Sequence, residues 1–226
     1  MNKARTVKTA IVACKTLEAE LRHAMEKTGV SYPVEWIEPG LHNVPEKLRM
    51  RLQETLDGAS ARRVLFAMGF CGNSVLGIKA GGFELIIPRV DDCISLLLGS
   101  TGARAGISGS HAAYFLTGGW MRGKRNLWAE HKRTLDEHGE EQARSVAEMM
   151  FRNYRTLCLL DCGAGPIEPL IDDTKTIADT FGLKQMVIPA TVKYLEELLT
   201  GPWPESRFVV KAPWESITSG DLFYCE

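Results

Sequence analysis

The sequence predicts an α/β protein: an open, mostly parallel sheet with helices on both faces, built either as one continuous domain or as two related lobes. Three observations carry that prediction. Short apolar, β-branched runs alternate with longer amphipathic segments along most of the chain, the order expected of a parallel sheet with helical crossovers. Several runs are apolar throughout, as strands buried on both faces are. Four of them lead to a cysteine with small or polar neighbours, in TAIVAC (to Cys14), VLFAMGFCGN (Cys71), LIIPRVDDC (Cys93) and LCLLDCGAG (Cys162). Those are strand carboxyl ends, outside which open α/β sheets bind their ligands.

Taken in order, residues 7–14 predict a first strand, and Leu17–Lys27 a helix with Leu17, Leu21 and Met25 on one face. Val34–Ile37 reads as a second strand, punctuated by Pro39-Gly40, and Pro45 suits the first turn of a helix running to about Leu56. Arg63–Phe70 is a third strand, after which Cys71-Gly72-Asn73 is expected to turn into a short helix closed by Gly81-Gly82. Phe83–Ile87 is a fourth strand, ended by Pro88. Asp91 and Asp92 then open a helix through Leu98, with Gly99 as its stop.

Residues 100–111 (STGARAGISGSH) are expected to form a Gly/Ser-rich loop, as a mobile or ligand-covering segment. Tyr114–Thr117 is a short strand, followed by two helices at roughly 125–137 and 140–153. A second αβ run begins at Thr156: a strand to Asp161, a helix over Ile167–Phe181, a strand over Gln185–Ile188, a helix over 191–199 and a strand over Phe208–Val210. In the two-lobe arrangement, 1–122 form a first α/β lobe, 123–155 a helical spacer and 156–226 a second lobe. The echo of IIPRVDDCISLLLGS in VIPATVKYLEELLTG fits that division.

Composition excludes some classes of function. A net charge of −1, with 24% charged and 45% hydrophobic residues, gives no electrostatic case for nucleic acid or an anionic membrane. The basic cluster Arg122-Gly-Lys124-Arg125 is small and flanked by acids. No run approaches the ~20 apolar residues of a membrane span. The N-terminal segment reads as a strand rather than a signal peptide, so the expected location is cytoplasmic. Six cysteines with no CxxC then point to thiols, buried small residues or metal ligands rather than disulfides. Walker, GxGxxG, GxSxG, HExxH and kinase signatures are absent.

The remaining chemistry lies in a few side chains. Cys93 begins a helix directly after two aspartates. The helix N-terminus favours thiolate and the carboxylates oppose it, a conflict that a bound divalent metal resolves. Cys71 occupies a strand-to-helix turn, and His42 a loop beyond the second strand. Together His42, Cys71 and Cys93, with Cys14 as an auxiliary, form a candidate metal set for zinc or another transition metal, with a fourth position open to water or substrate. Each also has a plain structural role, as a capped helix start, a turn residue or a solvated loop residue. Asp92 and His42 are the candidate catalytic groups, as ligand-orienting residue or base. Arg89 is the candidate anion clamp, and Tyr114 and Trp120 candidate pocket walls. His111 beside them is a weaker candidate, while Cys158 reads as core.

The combination ACKTLEAEL, GLHNVPEKL, GFCGN, IPRVDDCISLLLGS and YFLTGGW resembles a bacterial and archaeal family catalogued as domain of unknown function 1638. The resemblance spans about residues 8–212. Cys14, His42, Pro45, Cys71, Gly72, Pro88, Arg89, Asp92, Cys93 and Trp120 match characteristic positions, whereas Asp91 stands where the family is associated with a histidine. Some members are encoded beside corrinoid-dependent methyltransferases, which implies a setting in one-carbon metabolism, with a corrinoid as cofactor and a corrinoid protein or methyltransferase as partner. The expected function is metal-assisted group transfer, including methyl transfer to a thiol, or hydrolysis, on a small molecule. The alternatives are a non-enzymatic metal- or corrinoid-binding accessory protein and a thiol redox enzyme using Cys71 and Cys93. The carrier signature DxHxxG is absent.

Overall fold

Each apolar run expected to be a strand forms one in the computed structural model, which describes residues 7–108, 112–123 and 126–222. The strands are β1 (Val7–Cys14), β2 (Val34–Ile37), β3 (Ala61–Ala67), β4 (Glu84–Pro88), β5 (Ala112–Leu116), β6 (Tyr154–Asp161), β7 (Lys184–Pro189) and β8 (Phe208–Lys211). They build two sheets, ordered β2-β1-β3-β4-β8 and β5-β6-β7. All pairings are parallel except β4 with β8. Cys14 pairs with Ile37, and Ala13 with Ala67. The register therefore brings the carboxyl ends of β1, β2 and β3 to one edge.

Sheet membership does not follow sequence order. β5 precedes residue 122 but pairs with β6, and the C-terminal β8 closes the far edge of the five-stranded sheet. One core lies between the sheets and joins Leu65 and Ile86 to Phe115, Cys158 and Leu160. It also holds Leu17 and Leu21 at the start of α1 (Glu18–Thr28), and Leu195, Leu198 and Leu199 of α8 (Lys193–Thr200). A second core covers the outer face of the larger sheet with Leu48, Leu52 and Leu56 of α2 (Pro45–Asp57), one helical stripe at four-residue spacing. A third lies outside the smaller sheet, beneath α6 (Leu127–Phe151) and α7 (Glu168–Thr180).

Local signals explain the boundaries. α3 (Cys93–Leu98) starts where the Asp92 carboxylate accepts a 2.8 Å hydrogen bond from Ser95 N, and stops at Gly99 with φ 88°, a left-handed position that suits glycine. α6 breaks at Gly139 (φ 81°, ψ 176°), the gap between the two expected helices. Residues 101–108, expected as loop, form α4 (Thr101–Ser108). Ser100 Oγ accepts from Ala103 N at its start, and Ile107 packs on the central core. The short helix expected after Cys71 is instead a series of turns, because Cys71, Gly72 and Asn73 are all left-handed. His111 and Cys225 lie outside the described residues, as do Lys124 and Arg125.

Candidate functional site

Two strand-end loops are fastened together at the carboxyl edge of the larger sheet. Beyond β3, Phe70 N donates to Val90 O at 2.9 Å and Cys71 N to Asp91 O at 2.7 Å, so pairing with the chain beyond β4 outlasts the strands. Gly69 makes the approach possible. A Cβ there would lie 2.6 Å from the Asp92 N, Cα and C atoms. The chain then reverses through Cys71 (φ 45°), Gly72 (φ 67°) and Asn73 (φ 63°). Left-handed non-glycine residues cost about 1–3 kcal/mol each and concentrate at functional sites.

The consequence is a row of thiols. Cys93 stands between Cys14 and Cys71 and interacts with both. The hydrogen bond with Cys93, burial and repulsion from Cys93 hold the Cys14 thiol well above its ordinary pKa, against the pull of Thr16, whose Oγ1 lies 3.0 Å from the Cys14 Sγ. At Cys93 the Cys14 contact acts downward, but the Cys71 hydrogen bond, burial and Cys71 repulsion prevail and raise it well above the usual value. Both thiols are therefore neutral at pH 7.

His42 and Trp120 close the site from the other side. A single turn at Leu41–Asn43, entered through Gly40 at φ 92°, carries His42. Its imidazole meets the Trp120 ring edge-on, with centroids 5.3 Å apart, and burial pushes its pKa below the usual histidine value. Trp120 belongs to α5 (Gly118–Arg122), where Thr117 Oγ1 accepts from Trp120 N. Here Gly119 is indispensable, since a Cβ would lie 1.8 Å from Thr16 O. The three thiols, His42, Asp92 and Trp120 enclose a cavity of about 140 Å³ with Ile37, Leu48 and Met68 as apolar walls. That volume resembles a cavity of ~150 Å³ known to hold benzene.

The fold thus gathers Cys14, His42, Cys71, Asp92, Cys93 and Trp120 around one cavity. Two expected residues are not among its lining. Arg89 directs its guanidinium toward the C-terminal segment, donating to Glu205 O at 2.8 Å and to Asp221 O. Tyr114 lies in β5 and packs edge-on against Phe151 and Tyr154, with burial raising its pKa to about 12. Strand alternation explains Tyr114, because Ala113 and Phe115 face the central core and Tyr114 therefore faces the outer one, whereas Arg89 is drawn off by the C-terminal carbonyls it binds. Cys158 is core, with its pKa raised to about 11 by burial.

Other contributors carried no motif. Thr16 contacts Cys14, and Arg104 of α4 pairs with Asp92 at 3.3 Å. Gly69 and Gly119 contribute through long-range backbone contacts, for which one sequence contains no signal. Among the described residues, no group of three or more His, Cys, Asp or Glu side chains is disposed to hold a metal ion. The thiols are neighbours without forming a ready ligand set.

These features define an α/β protein with a small thiol-lined pocket at the carboxyl ends of a parallel sheet. Its sequence places it in a family. The chain belongs to DUF1638, described as a protein of unknown function, whose model matches residues 36–199. That span includes His42, Cys71, Asp92, Cys93 and Trp120 and begins after Cys14. No curated protein and no solved structure matches the chain. Among the described residues, no helix is long and apolar enough to cross a membrane.

Proposed function

We propose that the thiol pocket performs group transfer or hydrolysis on the small reacting end of a molecule, assisted by a thiophilic transition-metal ion such as zinc. The observation that carries this reading is Cys93 seated between Cys14 and Cys71 on the wall of a cavity that also holds His42. Buried thiols with raised pKa values are poor bare nucleophiles. A divalent cation reverses that balance, since it favours thiolate over thiol. A neutral imidazole such as His42 suits either ligation or proton transfer. The side chains would have to lose protons and draw together to hold the ion. Once bound, zinc supplies Lewis acidity and an activated thiol or water.

The cavity also limits the substrate. About 140 Å³ admits a methyl-bearing end or a small acyl group, but not a corrinoid ring. A corrinoid would therefore have to stay outside the cavity, where it would supply a methyl group, while the thiols and His42 inside would hold the acceptor. Methyl transfer to a thiol is the named variant of this reading, and a cytoplasmic, reducing setting suits its free thiols. A redox reading has one observation in its favour, the proximity of Cys93 to two other thiols.

Elemental analysis of protein purified without oxygen or chelator tests the proposal. About one equivalent of zinc or iron is expected, lost in Cys71→Ser and Cys93→Ser while urea midpoints stay near the parent value. Absence of metal from every anaerobic preparation overturns the reading. Quantitative, reversible formation of a Cys93 disulfide with Cys14 or Cys71 under mild oxidation, detected by peptide mass spectrometry in metal-free protein, transfers the case to redox chemistry.

A further inference from the structure

We infer that the smaller sheet carries a second ligand site, at the carboxyl ends of β5 and β6, that takes a small zwitterion of the α-amino acid type. A cavity of about 490 Å³ lies there, bordered by Glu20, Arg122, Leu160, Asp161, Cys162 and Leu170. It shares no lining residue with the thiol pocket. Its size falls within the usual range for small-molecule sites, about 300–1,000 Å³.

Glu20 is the strongest sign of a missing ligand. The residue is 3% exposed, borders the cavity, and its Oε2 has no hydrogen-bond partner among the described residues. A buried polar atom left unpaired costs about 1–3 kcal/mol, and more when charged. Native structures contain few such atoms. Burial raises the Glu20 pKa, while its own backbone amide and Arg122 act in the opposite direction. Arg122 therefore faces the same space.

Charge placement selects the ligand class. Glu20 and Asp161 supply two carboxyl groups. Arg122 supplies one guanidinium, and the N-terminal end of the 13-residue α7 borders the cavity at its cap residue Ile167 and at Pro169 and Leu170, without a side-chain cap. A simple anion would meet the carboxyl groups, and a simple cation would meet Arg122 and the positive end of the helix dipole. A molecule with both charges satisfies both sides: its ammonium pairs with Asp161 and draws the Glu20 carboxyl group toward it, and its carboxylate pairs with Arg122. Cys162, its thiol raised to about 12 by burial, Glu20 and Asp161, is a neutral wall for the ligand's side chain.

Calorimetric titration of the full chain tests the inference, with each proteinogenic α-amino acid in turn. Controls are an amine without the carboxylate and an N-acetylated amino acid without the ammonium. At least one amino acid should bind with a Kd of about 1 mM or tighter, with both matched controls about tenfold weaker or worse. Glu20→Gln and Arg122→Met should each weaken binding about tenfold or more, while Cys93→Ser leaves it unchanged. Arg122 is exposed, so its substitution leaves the core untouched. Failure of every amino acid to bind overturns the inference. So does equal binding of the controls, or affinity that survives both Glu20→Gln and Arg122→Met.

Discussion

Gly69 and Asp92 are in backbone contact: a Cβ on the glycine would stand 2.6 Å from the aspartate's N, Cα and C atoms. The obstruction is main chain, so no rotamer change relieves it. Gly69→Ala should cost about 2–3 kcal/mol by urea denaturation, as overpacked interiors do. It should also separate the loop bearing Cys71 from the helix bearing Cys93. Alkylation of the two cysteines, followed by peptide mass spectrometry, should then proceed faster than in the parent. Parent-like stability and alkylation would show that the loops are not held by this contact.

Thiol titration makes the stability of the metal-free protein fall at alkaline pH. Cys14 and Cys93 are raised in the folded state, so the unfolded chain loses these protons first. Their contribution is complete below the ordinary cysteine pKa of about 8.5 and is lost as pH rises from there through the folded values. Thermal melts in chelator should therefore drop above about pH 8.5, and drop less steeply for Cys93→Ser. Equal slopes for the two proteins would contradict the shift at Cys93.

The His42 imidazole depends on Trp120 for its dry surroundings. Its pKa is lowered by burial, and Trp120 supplies the ring edge against it. Trp120→Ala should admit water and return the His42 pKa toward about 6.5, at a stability cost below the ~3–5 kcal/mol of a fully buried aromatic, because Trp120 is only part-buried. An NMR titration of the His42 ring protons reads the shift directly.

Glu20→Gln should stabilise the protein at neutral pH. Burial raises the Glu20 pKa, so the carboxyl group contributes fully below its unfolded pKa of about 4.3, and that contribution is lost as pH rises through the folded value. The amide carries no such dependence. Melting temperatures of variant and parent should therefore diverge from about pH 4 upward, with the variant higher at pH 7. A variant that melts lower at pH 7 would mean that Glu20 has a partner in solution.

Sequence-local features could be read in advance. The apolar strands, Pro45 opening α2, Asp92 capping α3 and Gly139 breaking α6 all depend on neighbours a few residues away. So does the clustering of strand-end cysteines, because parallel strands share one carboxyl edge. α4 was obscured by Gly102 and Gly106, which signal a loop but stand in a helix. The antiparallel insertion of β8 beside β4, the outward course of Arg89 and the packing of Tyr114 depend on contacts far along the chain. Gly69 and Gly119 belong to the same group. Their Cβ atoms are excluded by segments that no local pattern brings near.

Gly119, seated against Thr16, has a consequence for change in this protein. Its helix is only Gly118–Arg122, capped by Thr117 at one end and tied at the other by Asn126, whose Nδ2 donates to the Trp120, Met121 and Gly123 carbonyls. Trp120 faces the thiols and Arg122 the second cavity, so this short helix is a shared wall. Neither chamber can be reshaped by moving it without altering the other. New specificities must therefore arise from the outer walls, the turn bearing His42 on one side and the Gly163–Pro166 segment on the other.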